Sequence, residues 1–175
     1  MASGHSGRAA GGELEEKVDL TAETDAKLEQ ASQLAKGQQS LSEALALLAA
    51  LEKRCRVGND TPNLVRVCQA SLQLCHDAGD TESLVTTLQT LATRRSQKTK
   101  AVGALVHTAM PWCLADQYTP IAVKSEDEKT ARYKLVVALR DISDGKIYLE
   151  AERARLTRAL ATIKVRWIDP WTGGR

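Results

Sequence analysis

The chain has 175 residues, of which 43% are hydrophobic and 26% are charged, and its formal net charge is +2. The balance of 24 basic and 22 acidic side chains gives no argument for a polyanionic partner, and no apolar run reaches the roughly 20 residues of a membrane-spanning helix. Aromatic residues amount to only 3%, with no phenylalanine, which favours packed helices over sheets.

The chain begins with a segment, residues 1–20, that has no periodic pattern and is predicted to be a disordered tail. From Thr21 onward, apolar residues recur at helical spacing between short breaks. Gly37, the segment 57–60 and Gly79 mark the first three breaks, so we expect a series of short helices.

The starts of these helices carry their own signals. Ser40 and Glu43 form a capping-box pattern, in which each side chain accepts an otherwise unpaired N–H of the first turn. Thr61 precedes Pro62 and is predicted to cap the next helix, because proline suits a first helical turn. Asp80 is predicted to open the helix after that.

The second half of the chain continues in the same way. Residues 94–100, "RRSQKTK", are predicted to form a polar link between two helices, and residues 116–128 are the longest loop candidate. A short helix is expected at 129–141 and a last helix at roughly 146–164.

The early helix starts lie about 20 residues apart, so that a helix pair occupies about 40 residues, as in TPR-like and HEAT-like hairpins. Each amphipathic helix has one apolar face, which only a neighbouring helix can cover. The predicted fold is therefore all-α: a right-handed α-solenoid of stacked helical hairpins over residues 21–164.

The side chains assemble no active site. There is no phosphate-binding glycine motif, and Cys68, Cys75 and His76 lack the tight ligand pair of a zinc site. His107 and Cys113 lie outside any recognisable nucleophile motif. We therefore predict a protein that is not an enzyme, with no metal or cofactor, no small-molecule substrate, and buried, reduced cysteines typical of the cytoplasm and nucleus.

Four basic residues lie in the link at residues 94–100. Phosphate contacts with a nucleic acid would explain them, although no aromatic residues alternate with them to stack on bases. A protein-docking patch is the interpretation we favour, with Arg94, Arg95 and Lys98 as candidate contact residues.

The last predicted helix combines an apolar stripe with a dense charge pattern. Leu149, Leu156, Leu160 and Ile163 recur at helical spacing. Oppositely charged side chains three or four residues apart, Lys146–Glu150, Glu150–Arg153 and Glu152–Arg155, predict ion pairs within the helix. The candidate protein-contact residues on this helix are Glu150, Glu152, Arg153, Arg155 and Arg158.

Several stretches carry a family resemblance. The segment "GKIYLEAERARLTRALATIK" (145–164) closely resembles the family of non-ATPase subunit 12 of the 26S proteasome regulatory particle. The segments "LATRRSQKTKAV", "VDLTAETDAKLEQASQLAKG" and "ALALLAALEKRCR" resemble the same family, in the same order. Together they extend from about residue 18 to residue 164.

The resemblance implies a non-catalytic scaffold of the proteasome lid that supports ubiquitin-dependent protein degradation. Members of this family have an N-terminal helical solenoid followed by a PCI domain. They contact other lid subunits and the ATPase ring. The last eleven residues, "VRWIDPWTGGR" (165–175), depart from the family, so that we expect an irregular tail and a truncated form that ends before the PCI domain.

Two other interpretations stay open. The first is a scaffold like subunit 4 of the COP9 signalosome, which shares the solenoid-plus-PCI architecture. The second is an independent helical adaptor that binds nucleic acid through residues 94–100.

Overall fold

The computed structural model describes residues 18–36 and 41–168. Within these ranges the chain forms seven α-helices, and an isolated antiparallel bridge between Leu114 and Pro120 is its only β-type pairing. The helices are α1 (Thr21–Lys36), α2 (Leu41–Val57), α3 (Thr61–Asp77), α4 (Thr81–Thr93), α5 (Thr99–Ala109), α6 (Glu126–Ser143) and α7 (Glu150–Ile163). Among the described helices, none is both long and apolar enough to cross a membrane.

The helices pack as sequential pairs that are joined to one another. Helix α1 packs on α2, α3 on α4, and α6 on α7, while contacts of α3 with α5 and of α4 with α6 connect the pairs. Their apolar faces merge into one leucine-rich core. The predicted all-helical fold of stacked pairs is thereby confirmed.

The N-cap of α3 differs from the prediction. Asp60, rather than Thr61, accepts the backbone N–H of Asn63 at 3.3 Å, and Thr61 is the first helical residue. Asp80 caps α4 as predicted and accepts the N–H of Ser83 at 2.9 Å. The predicted break and cap between α1 and α2, Gly37 and Ser40, lie outside the described residues.

Asp60 also connects the start of the fold to the turn between α2 and α3. Its Oδ2 atom accepts the N–H of Leu20 and the side-chain amide of Asn63, both at 2.8 Å, and the residue is 4% exposed. The N–H of Val18 donates to the carbonyl of Gly58 at 3.1 Å. Residues 18–20, expected in the tail, thus contact the helices, whereas residues 1–17 lie outside the described ranges.

A second buried carboxylate joins α2 to the link between α4 and α5. Oε1 of Glu52, which is 0% exposed, accepts from Arg56 at 3.0 Å and from Gln97 at 3.1 Å. Oε2 forms an ion pair with Nε of Arg94 at 3.5 Å, without hydrogen-bond alignment. Arg56 also donates to the carbonyl of Arg95 at 2.8 Å. We call Glu52, Arg56, Arg94 and Gln97 the Glu52 junction.

Helix α6 begins three residues earlier than predicted. Ser125 accepts the N–H of Glu128 at 3.1 Å, and the Glu128 carboxylate accepts the N–H of Lys124 at 2.7 Å. These two bonds satisfy free donors of the chain at the helix start, and the acidic first turn suits the helix dipole. The shorter helix expected at 129–141 is therefore extended at both ends.

The last helix begins later than predicted. Gly145 has a φ of 68°, a left-handed conformation that glycine adopts readily, and it ends the path of α6. A 3₁₀ turn, Ile147–Leu149, precedes α7. Beyond α7, a π-helical turn, Lys164–Ile168, continues past residue 164, where the irregular tail was predicted to begin.

Replacing Asp60 by alanine removes the acceptor of three N–H groups, so we expect a loss of about 1–3 kcal/mol in unfolding free energy at pH 7. Asp80→Ala is the matched control, because the exposed side chain of Asp80 accepts from Ser83 in the first turn of its own helix; the loss should be about 1 kcal/mol or less. Urea denaturation measures both, and equal losses would contradict the role of Asp60 in joining α1 to α3.

The contribution of Asp60 to the unfolding free energy should also depend on pH. Burial raises the pKa of Asp60, but the hydrogen bonds from Asn63 and Leu20 outweigh it, so that the pKa lies below its usual value. A carboxylate with a lowered pKa in the folded state contributes fully above its unfolded pKa of about 3.9, and this contribution disappears as the pH falls through the folded pKa. The difference between wild type and Asp60→Ala should therefore narrow below about pH 4.

Replacing Glu52 by glutamine keeps the shape of the side chain but leaves Arg56 and Arg94 without their counter-charge. Because both arginines are only partly exposed, we expect a loss of about 2–4 kcal/mol in unfolding free energy. Glu43→Gln, an exposed substitution in the same helix, should change it by less than about 1 kcal/mol. A Glu52→Gln variant as stable as this control would show that the junction does not hold the fold.

Candidate protein-contact surfaces

The link between α4 and α5, the first predicted contact surface, faces inward as well as outward. Arg94 belongs to the Glu52 junction, and the ammonium of Lys98 donates to Oδ1 of Asn59 in the turn between α2 and α3. Arg95 and Lys100 are exposed. Two of the three candidate residues in the link thus hold it against the preceding helices, and Arg95 presents its side chain to solvent.

The charges of α7, the second predicted surface, also pair differently from the prediction. Arg153 forms an ion pair with Asp144, before the helix, at 3.0 Å. Glu152 contacts His107 of α5 at 3.1 Å. These partners from other segments take the place of the ion pairs expected within the helix. Glu150, the first residue of α7, is exposed.

The contact of Glu152 with His107 connects α7 to α5. Burial alone would raise the pKa of Glu152, but a backbone hydrogen bond, the hydrogen bond with His107 and the charge of Arg155 together lower it. The carboxylate is therefore ionised at neutral pH. Arg155 lies beside it at the edge of a cavity that also includes His107 and Pro111.

Arg158 holds the long loop that precedes α6. Its guanidinium lies 4.7 Å from the centre of the Tyr118 ring, a cation–π contact. The loop is shaped by Asp116, whose carboxylate accepts the N–H groups of Tyr118 and Thr119 at 2.7 and 2.8 Å. Those backbone hydrogen bonds lower the pKa of Asp116. Arg158 thus has a structural contact, although its side chain is exposed.

The residues considered for metal binding or catalysis do not form a reactive site in the described part of the chain. All four cysteines are buried and free, and burial raises the pKa of Cys68 and of Cys113 to about 12. Their thiols are therefore protonated and unreactive at neutral pH. His76 stacks on Trp112 at 4.2 Å, and the described residues contain no group of three or more His, Cys, Asp or Glu suited to a metal ion.

The sequence reasoning missed an exposed apolar feature next to α7. Ile147 and Tyr148, in the 3₁₀ turn, are exposed, and Tyr148 lines a groove along α5. A signal for this was present, because both residues fall outside the apolar stripe that begins at Leu149.

Comparison with known proteins gives a consistent assignment. The family model described as "PSMD12/CSN4, N-terminal" matches residues 43–168. The 26S proteasome non-ATPase regulatory subunit 12 of Dictyostelium discoideum is 36% identical over 146 residues, 83% of this chain and 30% of that protein. Homolog A of this subunit from Arabidopsis thaliana is 36% identical over 113 residues, 65% of this chain and 23% of its own length.

A fission yeast protein extends the comparison. The 26S proteasome regulatory subunit rpn501 of Schizosaccharomyces pombe is 34% identical over 120 residues, 69% of this chain and 25% of that protein. The chain thus spans between 23% and 30% of the length of these three relatives. The family match includes helices α3 to α7 in full and nearly all of α2. The resemblance drawn from the sequence is confirmed, and the chain belongs to the PSMD12/CSN4 N-terminal family.

Proposed function

We propose that the chain is a non-catalytic scaffold subunit of the lid of the 26S proteasome regulatory particle and supports ubiquitin-dependent protein degradation. The observation that carries this proposal is the 36% identity, over 83% of the chain, with a 26S proteasome non-ATPase regulatory subunit 12. Its partners would be other lid subunits and the ATPase ring, in the cytoplasm and the nucleus. No small-molecule substrate enters this proposal.

The exposed charges support a role in protein contact. Arg95 and Glu150 are exposed, and Arg155 is partly exposed at the edge of a cavity. They are carried by elements that are themselves fixed, because the Glu52 junction holds the link and Glu152 binds α7 to α5. Rigid elements that present charged side chains lose little conformational freedom when a partner binds.

A scaffold like COP9 signalosome subunit 4 is the second candidate, since the name of the matching family includes CSN4. The relatives described above are proteasome subunits, which favours the lid. The third interpretation, an adaptor for nucleic acid, has weaker support, because Arg94 and Lys98 of the basic link already contact the chain's own side chains.

An affinity-tagged chain, expressed in eukaryotic cells, should co-purify with lid and ATPase subunits, as measured by quantitative mass spectrometry. Reversing two outward charges, in the double variant Arg95→Glu and Arg155→Glu, should lower the recovered lid by about fivefold or more. Lys53→Glu reverses an exposed charge on α2 and is the control; it should leave the amount of recovered lid unchanged. Recovery of deneddylase subunits would favour the signalosome, and recovery of the chain alone would contradict both scaffold proposals.

The same purified chain should not bind nucleic acid specifically. Fluorescence anisotropy with a labelled single-stranded RNA and a labelled DNA duplex, each titrated at two salt concentrations, measures this. Binding through phosphates weakens steeply as the salt concentration rises. Tight binding that is salt-sensitive and is lost in Arg95→Glu would contradict the preference for a protein partner.

A further inference from the structure

A groove lies along α5, beside the turn that precedes α7. It measures about 420 Å³ and is lined by Thr99, Lys100, Gly103, Ala104, His107, Tyr148 and Leu149. A Cβ atom added to Gly103 would meet no atom within 4 Å, so that the space above the helix backbone is open at this point. A side chain of another molecule can therefore approach the backbone of α5 closely.

Tyr148, which lines this groove, and Ile147, its neighbour in the chain, present apolar surface to solvent. Ile147 is 89% exposed, the highest value for a large hydrophobic residue in the described part of the chain, and Tyr148 is 46% exposed. Covering such apolar surface contributes about 25 cal/mol per Å², and tyrosine is enriched in protein interfaces. The pair is thus suited to contact with another protein.

The turn that carries Ile147 is fixed. The N–H of Leu149 donates to the carbonyl of Lys146 at 2.9 Å, and the N–H of Lys146 donates to the carbonyl of Ser143 at 3.2 Å. Leu149 itself is fully buried and anchors the turn in the core. Because these bonds already order the backbone, little conformational entropy is lost when a partner covers Ile147.

The charge of the groove selects its occupant. Lys100 is the lining residue with a permanent charge, it is exposed, and no ion pair of its ammonium occurs within the described residues. Arg95, also exposed, lies in the link just before α5. Glu152 binds His107, and Glu150 does not line the groove. A complementary segment therefore carries a carboxylate next to its apolar side chain.

We propose that this groove docks a segment of a neighbouring lid subunit in which an apolar side chain lies next to an aspartate or glutamate. The apolar side chain would pack between Ile147 and the open backbone at Gly103, and the carboxylate would pair with Lys100. This inference rests on the proposed lid function. A second copy of the chain is a poorer occupant, since a twofold contact of groove with groove would bring Lys100 close to its own copy.

The test compares three variants in reconstitution with purified lid subunits. Ile147→Asp places a carboxylate on the apolar edge, and Lys100→Glu reverses the charge; each should reduce lid association about tenfold. Val57→Asp is the matched control, because Val57 is 71% exposed at the end of α2 and does not line the groove. All three should unfold in urea at the wild-type midpoint, since the substituted side chains are exposed.

A photo-cross-linking amino acid in place of Ile147 identifies the occupant. We expect cross-links to a lid-subunit peptide with an apolar residue next to Asp or Glu. If the wild-type chain associates with the lid and both groove variants associate equally well, the groove inference fails and the proposed function stands. If the wild-type chain does not associate, both fail. Cross-links to a second copy of the chain, or an equal loss in Val57→Asp, would also overturn the inference.

Discussion

The buried carboxylate of Glu52 is the constraint on which the arrangement of the helices depends. A carboxylate that is 0% exposed loses its hydration, and only cationic and hydrogen-bonding partners can compensate for that loss. Arg56 comes from the same helix, but Arg94 and Gln97 come from the link between α4 and α5. The partners of Glu52 are therefore complete only when that link lies against α2. This requirement places the start of α5, and with it the groove beside α7.

Asp60, eight residues after Glu52 in the turn between α2 and α3, also connects separate parts of the fold. An apolar core specifies one packing arrangement only weakly, because cores tolerate other hydrophobic side chains when total volume and pattern are kept, and they lose uniqueness before they lose stability. A carboxylate that needs the N–H of Leu20 and the amide of Asn63 permits one position only. Glu52 and Asp60 thus supply the specificity that the apolar core lacks, and both lie where one pair of helices meets another element.

The sequence predicted what depends on local spacing and missed what depends on distant partners. The helical periodicity located α2 to α5, the cap at Asp80 and the buried stripe of α7, since these follow from residues within one or two turns. The ion pair of Arg94 with Glu52 joins residues more than 40 positions apart, and the local spacing of residues in the sequence does not predict it. The prediction of ion pairs within α7 was wrong for the same reason. Glu152 contacts His107 of α5 instead of a side chain of its own helix.

The distribution of the charged residues supports the proposed docking site beside α5. Of the candidate contact residues, Arg94, Lys98, Glu152 and Arg153 are engaged with the chain itself, and Arg158 lies on Tyr118. Arg95, which faces outward, lies in the link just before α5. Ile147, the most exposed large apolar side chain of the described residues, is next in the chain to Tyr148, which lines the groove along α5. An ionic contact on an exposed surface contributes little by itself. An ionic contact becomes selective when it borders apolar surface that the partner covers. The groove between α5 and the turn before α7 has both a charged side chain, Lys100, and apolar surface, at Tyr148.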